Sequence, residues 1–396
     1  MKPPGAETVV VRYGKISTKS PRVRGRMSAQ LAENISALLE ARGVEGTVER
    51  RHSRLLVRTD EERVGAATAV AADAFGVVSA SPAVTVPPRA DAIASALADA
   101  ARACYDGGTF AVRARRAGTE FPFTSEDLER RGGDAVWGAV EDRLDPEVDL
   151  DDPDLTFHVD CRREDAFVFL EKRPGPGGLP LGTQRPLVAL VSGGIDSPVA
   201  AYEAMRRGSP VVPVYVDLGD YGGPDHRARA VETVRSLARY APNFDMRVRV
   251  VPGGETVALL ADRMDRGRML SFRRYTFRVG EHVARAEGAA GLVTGEAIGQ
   301  KSSQTAGNLA VTDTATSLPV HRPLLTADKT DIVERAKAVG TYADATIPAG
   351  CNRLAPSRPE TNGRLSALRA VEPDDLFERA ERDAARVELV DLPASD

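Results

Sequence analysis

The sequence predicts a multidomain chain, with α+β units in its first half and an α/β domain in its second. Three observations carry this. The 396 residues correspond to two to four domains at roughly 100–200 residues each. A Pro/Gly stretch, Arg173-Pro174-Gly175-Pro176-Gly177-Gly178-Leu179-Pro180, separates two differently patterned halves. Beyond it, strand-like and helix-like segments alternate, which argues for a parallel sheet covered by helices.

Composition narrows the class. Hydrophobic residues make up 42% and charged residues 28%, ordinary values for a globular protein and incompatible with a wholly disordered chain. No apolar run approaches the ~18 residues of a membrane helix. Met1 to Val11 holds one Lys and Pro3-Pro4-Gly5, and lacks the apolar core of a signal peptide. Three cysteines, Cys104, Cys161 and Cys351, are too few and too scattered for a disulfide framework, so a reducing cytoplasm is the expected location. The formal net charge of −4 is unevenly spread: residues 1–60 hold twelve Lys/Arg against six Asp/Glu, and residues 371–396 hold nine acids against three Arg. A basic front is compatible with a nucleic-acid partner, although charge alone favours a merely solvated surface.

The first segment is expected over residues 1–62. Thr8 to Tyr13 reads as a strand by its β-branched run. Met27 to Arg42 reads as a helix, with Leu31, Ile35, Leu38 and Leu39 at helical spacing and Gly43 ending it. Leu55-Leu56-Val57 is a second strand. Between the first strand and the helix, residues 15–26 form an expected basic, flexible loop that includes Lys19, Arg22, Arg24 and Arg26. The second segment is expected over residues 63–172. Val64–Phe75 and Ala90–Tyr105 read as helices. Phe110 to Arg116 alternates apolar and basic residues, a strand with one buried face and one cationic face carrying Arg113, Arg115 and Arg116. Ser125 to Arg131 opens as a helix with Ser125 as N-cap. Strands follow at Leu155–Cys161 and Ala166–Lys172. The third segment, residues 173–396, carries the alternation: Pro186–Val191, Pro198–Arg207, Val211–Val216, Asp225–Tyr240 and Arg247–Val251.

The sharpest signal is an apolar strand running into Ser192-Gly193-Gly194-Ile195-Asp196-Ser197-Pro198 and then a helix. The glycines let backbone N–H groups approach an anion, and the helix N-terminus adds partial positive charge. Ser192 and Ser197 add hydroxyls, Ser197 as the expected N-cap with Pro198 at the first helical position. The loop matches neither the Walker pattern nor the dinucleotide G-x-G-x-x-G. An acid inside a phosphate loop is best read as a Mg²⁺ ligand, which gives Asp196 that role. The competing reading, a generic strand–turn–helix corner, fits the full strand–SGGxDS–helix context poorly.

The SGGIDS loop resembles the PP-loop of ATP pyrophosphatases, which split ATP between the α- and β-phosphates and leave an adenylated substrate. Further motifs point to one family. Leu179-Pro180-Leu181-Gly182-Thr183-Gln184, Thr294-Gly295-Glu296-Ala297-Ile298-Gly299-Gln300 with Ser302-Ser303-Gln304-Thr305, and Arg322-Pro323-Leu324 with Asp328-Lys329 are similar to the tRNA 4-thiouridine synthetase family. Arg12-Tyr13-Gly14-Lys15-Ile16 resembles its N-terminal ferredoxin-like domain, and Phe75-Gly76-Val77 with Phe123-Thr124-Ser125 resembles its THUMP RNA-binding domain. The resemblance implies three domains, the last a PP-loop domain. It implies adenylation of the uridine at position eight of tRNA, followed by displacement of AMP by sulfur. ATP and Mg²⁺ are the implied cofactors.

Carried onto this chain, the resemblance implies that Leu190 and Val191 flank the adenine, and that Arg273, Gly295 and Gln304 complete the pocket. Gly295 follows a strand end, where ligands sit in open α/β sheets. Arg273 lies among Arg263, Arg266, Arg268, Arg274 and Arg278, a cluster able to neutralise phosphates or simply to be solvated. Lys329 would stabilise charge on the departing phosphates. Cys351 matches the family's sulfur-handling cysteine, and Arg353 nearby could lower its pKa. Cys104 and Cys161 read as packing residues. The resemblance is to the form of the family expected to lack the rhodanese domain that some members append. Met269-Leu270-Ser271-Phe272 stands where some archaeal members carry a C-x-x-C for an iron–sulfur cluster. The sulfur source therefore stays open between a persulfide donor such as a cysteine desulfurase and free sulfide. No histidine spacing suggests zinc. Lys19, Arg22, Arg24, Arg26, Arg113, Arg115 and Arg116 are expected to hold tRNA phosphates, with a homodimer as a possible assembly and no membrane expected. Two alternatives are sulfur delivery to a ThiS-like carrier for thiamine thiazole and a non-catalytic tRNA-binding protein; the intact Asp196 and Lys329 speak against the latter.

Overall fold

The computed structural model describes residues 1–14, 16, 18–51, 53–118, 120–222, 224–345 and 354–392. The chain forms two compact units, Met1–Pro180 and Leu181–Asp396.

The first unit runs β1 (Thr8–Tyr13), α1 (Pro21–Ala41), β2 (Thr47–Arg51), β3 (Arg54–Arg58), α2 (Val64–Ala72), β4 (Val77–Val86), α3 (Ala90–Cys104), β5 (Thr109–Arg116), α4 (Ser125–Val140), β6 (Glu147–Val148), β7 (Leu155–Cys161), β8 (Ala166–Phe169) and β9 (Arg173–Pro174). Its strands form one nine-stranded sheet in the order β2-β3-β1-β4-β8-β7-β5-β6, with β9 also on β4. The first four are antiparallel neighbours, a βαββαβ unit that ends at β4. The same ten-residue β4 then pairs with β8 through Val84–Val86, so the sheet passes without a break into the second half. The boundary expected near residue 62 is therefore not a break in packing: Val64, Ala67 and Val70 of α2 share one core with Val9, Leu31 and Ile35. The Pro/Gly stretch likewise begins inside this unit, because Arg173 and Pro174 pair with Ala80 and Ser79.

Side-chain alternation assigns the two faces. Val9, Val11 and Tyr13 pack with α1 and α2. Phe110, Val112, Phe157 and Val159 share a core with Ile93, Leu97, Leu128 and Val136 of α3 and α4. The opposite face carries Val10, Leu56, Ala83, Phe167 and Phe169 and the guanidinium of Arg12, 4.4 Å from the Phe169 ring centroid.

Several local expectations change. Helix α1 begins at Pro21 rather than Met27, so Arg22, Arg24 and Arg26 lie on its first turns and not in a loop. Ser20 is its N-cap residue and Pro21 supplies a pre-set φ. The cap of α4 is Thr124, in a reciprocal capping box with Asp127, and not Ser125. The hairpin strand β2 and the long β4 carry no strong alternation and are absent from the sequence reading.

The second unit continues β10 (Leu187–Leu190), α5 (Asp196–Arg206), β11 (Val211–Asp217), α6 (Pro224–Ala238), β12 (Val248–Pro252), α7 (Gly254–Arg263), α8 (Arg268–Ala286), β13 (Leu292–Val293), α9 (Ala306–Asp313), β14 (Val320–His321), α10 (Lys329–Val339), α11 (Tyr342–Ala345), α12 (Leu365–Arg369), α13 (Leu376–Ala384) and β15 (Glu388–Val390). The strand order is β14-β13-β10-β11-β12-β15. All neighbours are parallel except β15, which runs antiparallel on β12. Val188, Val214, Val216, Val251 and Leu292 share a core with Leu260, Phe277 and Ala380 of α7, α8 and α13, while α5 packs with α6 and α10. The chain leaves β10 for β11 on one side and returns to β13 on the other. Strand order reverses there, and in open α/β sheets ligands bind in the crevice beyond the strand ends at such a switch point. No helix of the described residues is long and apolar enough to cross a membrane.

Candidate functional site

Two loops meet at the switch point: residues 191–197 after β10 and residues 294–304 after β13. Val191 is buried and its N–H donates to Val214 O at 2.9 Å, which fixes the chain as it leaves the sheet. Leu190 packs on the core beside α8. Ser197 closes the turn: its Oγ accepts from Ser192 N–H at 2.9 Å and donates to Ser192 O at 3.2 Å. Its role is therefore not the expected N-cap. Helix α5 already includes Asp196 and Ser197, with Ile195 in the cap position.

The glycines serve close approach rather than left-handed backbone, since neither Gly193 nor Gly194 has positive φ. A Cβ on Gly193 would stand 3.3 Å from His226 O, against α6. A Cβ on Gly194 would meet only Ser192 Oγ, at 3.7 Å, so Gly194 borders open space. Gly295 has a different reason for lacking a side chain: a Cβ there would lie 2.5 Å from the Asp196 carbonyl carbon and 2.6 Å from Ser197 N. The two loops pack backbone against backbone at that point.

Asp196 and Lys329 come together. Lys329, the first residue of α10, places Nζ 2.8 Å from Asp196 Oδ1. Gln300 Nε2 donates to the same oxygen at 3.4 Å. Gln304 is buried, and its Oε1 has no hydrogen-bond partner among the described residues, as is also true of Gln300 Oε1. A buried acceptor without a donor is costly, and an amino group of a ligand would satisfy it.

Arg273 is placed at the same end of the sheet but is already engaged. Its Nε lies 3.0 Å from Glu296 Oε1 and its Nη1 donates to Ser303 O at 3.2 Å. Burial pulls its guanidinium pKa down and Glu296 acts against that. Three more members of the arginine cluster are used internally as well, while Arg263 and Arg266 are exposed. Arg268 donates to the carbonyls of Met264 and Ala261, Arg274 pairs with Glu372, and Arg278 pairs with Glu281 and Glu381. The stretch Met269–Phe272 lies on α8, where Leu270 and Ser271 are buried.

Cys351 lies outside the described residues. Burial pushes the Cys161 thiol up to about 11 and also raises Cys104, so neither is a ready thiolate. Among the described residues no group of three or more His, Cys, Asp or Glu is arranged to hold a metal. A single carboxylate at a phosphate loop still suits Mg²⁺, which binds through one or two carboxylates together with substrate phosphates.

In the first unit, Arg113 and Arg115 lie on the helix-free face of the sheet, opposite His158 and Asp160 in register. Arg116 falls on the other face, with Phe110 and Val112, and its Nη1 donates to Phe121 O at 3.5 Å. Lys19, Arg22 and Arg26 are exposed and Arg24 is half-buried. The sequence reading missed a cleft of about 530 Å³ at the edge of this face, lined by Arg50, Arg51, Arg54, Arg162, Arg163 and Phe167, among others. Arg54 in its lining is ion-paired with the buried Asp160, and Arg162 Nε lies 2.7 Å from the other Asp160 oxygen. Arg163 is exposed and has no ion pair among the described residues. The signal was two Arg-Arg pairs, 50–51 and 162–163, each at a strand end.

Known proteins resemble the chain over its whole length. Residues 182–376 match the family model described as thiamine biosynthesis protein (ThiI), residues 89–171 the THUMP domain, and residues 8–81 the ThiI ferredoxin-like domain. A Halobacterium salinarum protein named "Probable tRNA sulfurtransferase" is 60% identical over 385 residues, covering 97% of each chain. A Methanosarcina acetivorans protein of the same name is 39% identical, covering 91% of this chain and 87% of the relative. Among solved structures, a 4-thiouridine synthetase in complex with RNA and with bound ATP superposes with a TM-score of 0.84 at 28% identity, covering 98% of this chain and 100% of that one.

Proposed function

The chain belongs to the ThiI family of tRNA sulfurtransferases, and on that premise we propose that it uses ATP to place sulfur on tRNA, converting the uridine at position eight to 4-thiouridine. The observation that carries this reading is the convergence of Asp196, Lys329 and the open space at Gly194 on one switch-point crevice. ATP is read into that crevice because a relative of similar fold binds it and because the residues present suit it.

In this reading the triphosphate lies over Ser192, Gly193 and Gly194 at the start of α5, where backbone N–H groups and the helix terminus favour an anion. Leu190 and Val191 border the adenine, and the unpartnered Gln304 Oε1 accepts from its amino group. Gly295 keeps the second loop close enough to complete the pocket. Arg273, already neutralised by Glu296, shapes the wall rather than countering phosphate charge. Asp196 would hold Mg²⁺, which supplies charge neutralisation on the departing pyrophosphate. Lys329, whose ammonium lies beside Asp196, would serve the same phosphates. The C4 oxygen of uridine forms a bond to the α-phosphorus as the bond to pyrophosphate breaks, and the N3 proton is lost. Free sulfide would attack C4 directly as AMP leaves. With a persulfide donor, Cys351 would take the outer sulfur by exchange, and its terminal sulfur would attack C4 as AMP leaves. A thiol reductant would then cleave the resulting disulfide to release the thiolated base.

The basic, helix-free face of the first unit is the proposed seat of the RNA backbone. Arg113, Arg115 and Arg163 are among its exposed members, and Lys19, Arg22 and Arg26 add charge on α1 and before it. The test is pyrophosphate release that depends on tRNA. Asp196→Ala should retain tRNA binding and release none, and full turnover in that variant overturns the site. Cys351→Ser should still adenylate tRNA yet give no thiolated product with a persulfide donor.

A further inference from the structure

Glu296 follows Gly295 and is buried, with 5% of its surface exposed. Its two oxygens face two arginines. Oε1 lies 3.0 Å from Arg273 Nε, an ion-pair contact without hydrogen-bond geometry; Oε2 accepts from Arg322 Nε at 2.8 Å and from Thr294 Oγ1 at 3.1 Å. Arg322 also donates to Asp313 at the end of α9, through Nη1 at 3.2 Å. Arg273 spends its other arm on the carbonyl of Ser303, the residue before Gln304. One carboxylate therefore joins α8, the loop after β13, the 301–304 turn and the strand end at Arg322. Two cations and two carboxylates balance in this cluster. Without the charge of Glu296, two largely but not fully buried guanidinium groups would face each other with Asp313 alone to offset them.

The geometry points to Glu296 as a positioning residue for nucleotide binding: it fixes Arg273, and through the Ser303 carbonyl it holds the Gln304 amide in place. This rests on the reading of the switch-point crevice as the ATP site. The segments it joins are those that carry Gly295 and Gln304. Its loss should therefore loosen the nucleotide pocket and leave the chemistry of Asp196 and Lys329 intact.

The experiment compares the full-length wild type with Glu296→Gln, using calorimetric binding of a non-hydrolysable ATP analogue with Mg²⁺ and steady-state pyrophosphate release with tRNA. Glu296→Gln should raise the analogue Kd and the KM for ATP about tenfold, while kcat and the KM for tRNA stay within about twofold. A purely structural role would lower the active fraction, and so kcat, without moving either ATP constant. That result, or an unchanged Kd, overturns the inference. Should Glu296→Gln fail to fold, Thr294→Val decides. It removes one hydrogen bond to Glu296, and a two- to threefold rise in Kd is expected, roughly the value of a single such bond at the low end; no rise overturns the inference. Wild-type protein that binds no analogue would instead refute the ATP site itself, a distinct outcome from wild type and Glu296→Gln binding equally.

Discussion

Lys329 Nζ lies 2.8 Å from Asp196 Oδ1 across 133 residues of sequence. The pair joins the first residues of two helices, α5 and α10. With Lys329 half exposed, it contributes little to stability, about 0–1 kcal/mol for such pairs. Lys329→Met should therefore leave the melting temperature nearly unchanged. It should lower kcat for pyrophosphate release on the order of 10²-fold or more, the usual cost of removing one preorganised charge from a reacting group. The measurement is steady-state release with saturating tRNA, beside a thermal melt. Retained kcat would remove Lys329 from the mechanism.

The two glycines at the crevice should fail differently. Gly194→Ala adds a Cβ that meets nothing nearer than 3.7 Å, so the protein should fold normally while its ATP KM rises. Gly295→Ala adds one 2.5 Å from the Asp196 carbonyl carbon, so the loops must part. That variant should lose stability, by about 1–3 kcal/mol for overpacking, together with activity. Equal melts with equal losses would contradict this division.

The basic face of the first unit makes a salt-dependent prediction. Removing one cation that neutralises a duplex phosphate flattens the slope of log affinity against log salt by about 0.9. Arg163→Ala and Arg115→Ala should each weaken tRNA binding and reduce that slope, with no change in ATP KM. Binding titrations at several salt concentrations decide it. A slope unchanged in both variants would place the RNA elsewhere.

Acid should destabilise the first unit through His158. Burial, then Lys172, Arg12 and Arg113, lower its pKa from 6.5 to about 4. It also stacks on Phe169, with ring centroids 5.1 Å apart. Between those values the unfolded chain binds a proton that the folded one does not, so stability rises with pH across that window. The contribution is complete above pH 6.5 and falls away as pH drops toward about 4. His158→Gln should flatten that part of the stability curve in denaturant melts. An identical slope in variant and wild type would exclude His158 as the titrating group.

The legible parts of this chain were those with a strong local cause. The β-branched run at Thr8–Tyr13, the alternation through Phe110–Arg116 and the Leu/Ile spacing of α1 each match an observed element. The SGGIDS corner was legible because strand, glycines, acid and helix are contiguous. What escaped depends on distant partners. Strand β4 is recognisable only from β1, β8 and β9 beside it. The start of α1 at Pro21 is masked in the sequence by the basic run that follows, although Ser20 and Pro21 form a cap-and-proline start. The engagement of Arg273 with Glu296 and of Arg274 with Glu372 could not be seen in a run of arginines that looked free to meet phosphate. The cleft of Arg50, Arg54, Arg162 and Arg163 joins residues more than a hundred positions apart.

The central claim is that the crevice beyond β10 and β13 transfers AMP to a tRNA base before sulfur arrives. Its most direct test is a single reaction of purified protein with unmodified tRNA, ATP, Mg²⁺ and sulfide, read by nucleoside mass spectrometry together with pyrophosphate and AMP quantitation. The account predicts 4-thiouridine at position eight with one pyrophosphate and one AMP per modified base. Thiolation accompanied by ADP and phosphate, or an unmodified tRNA with intact ATP, would contradict it.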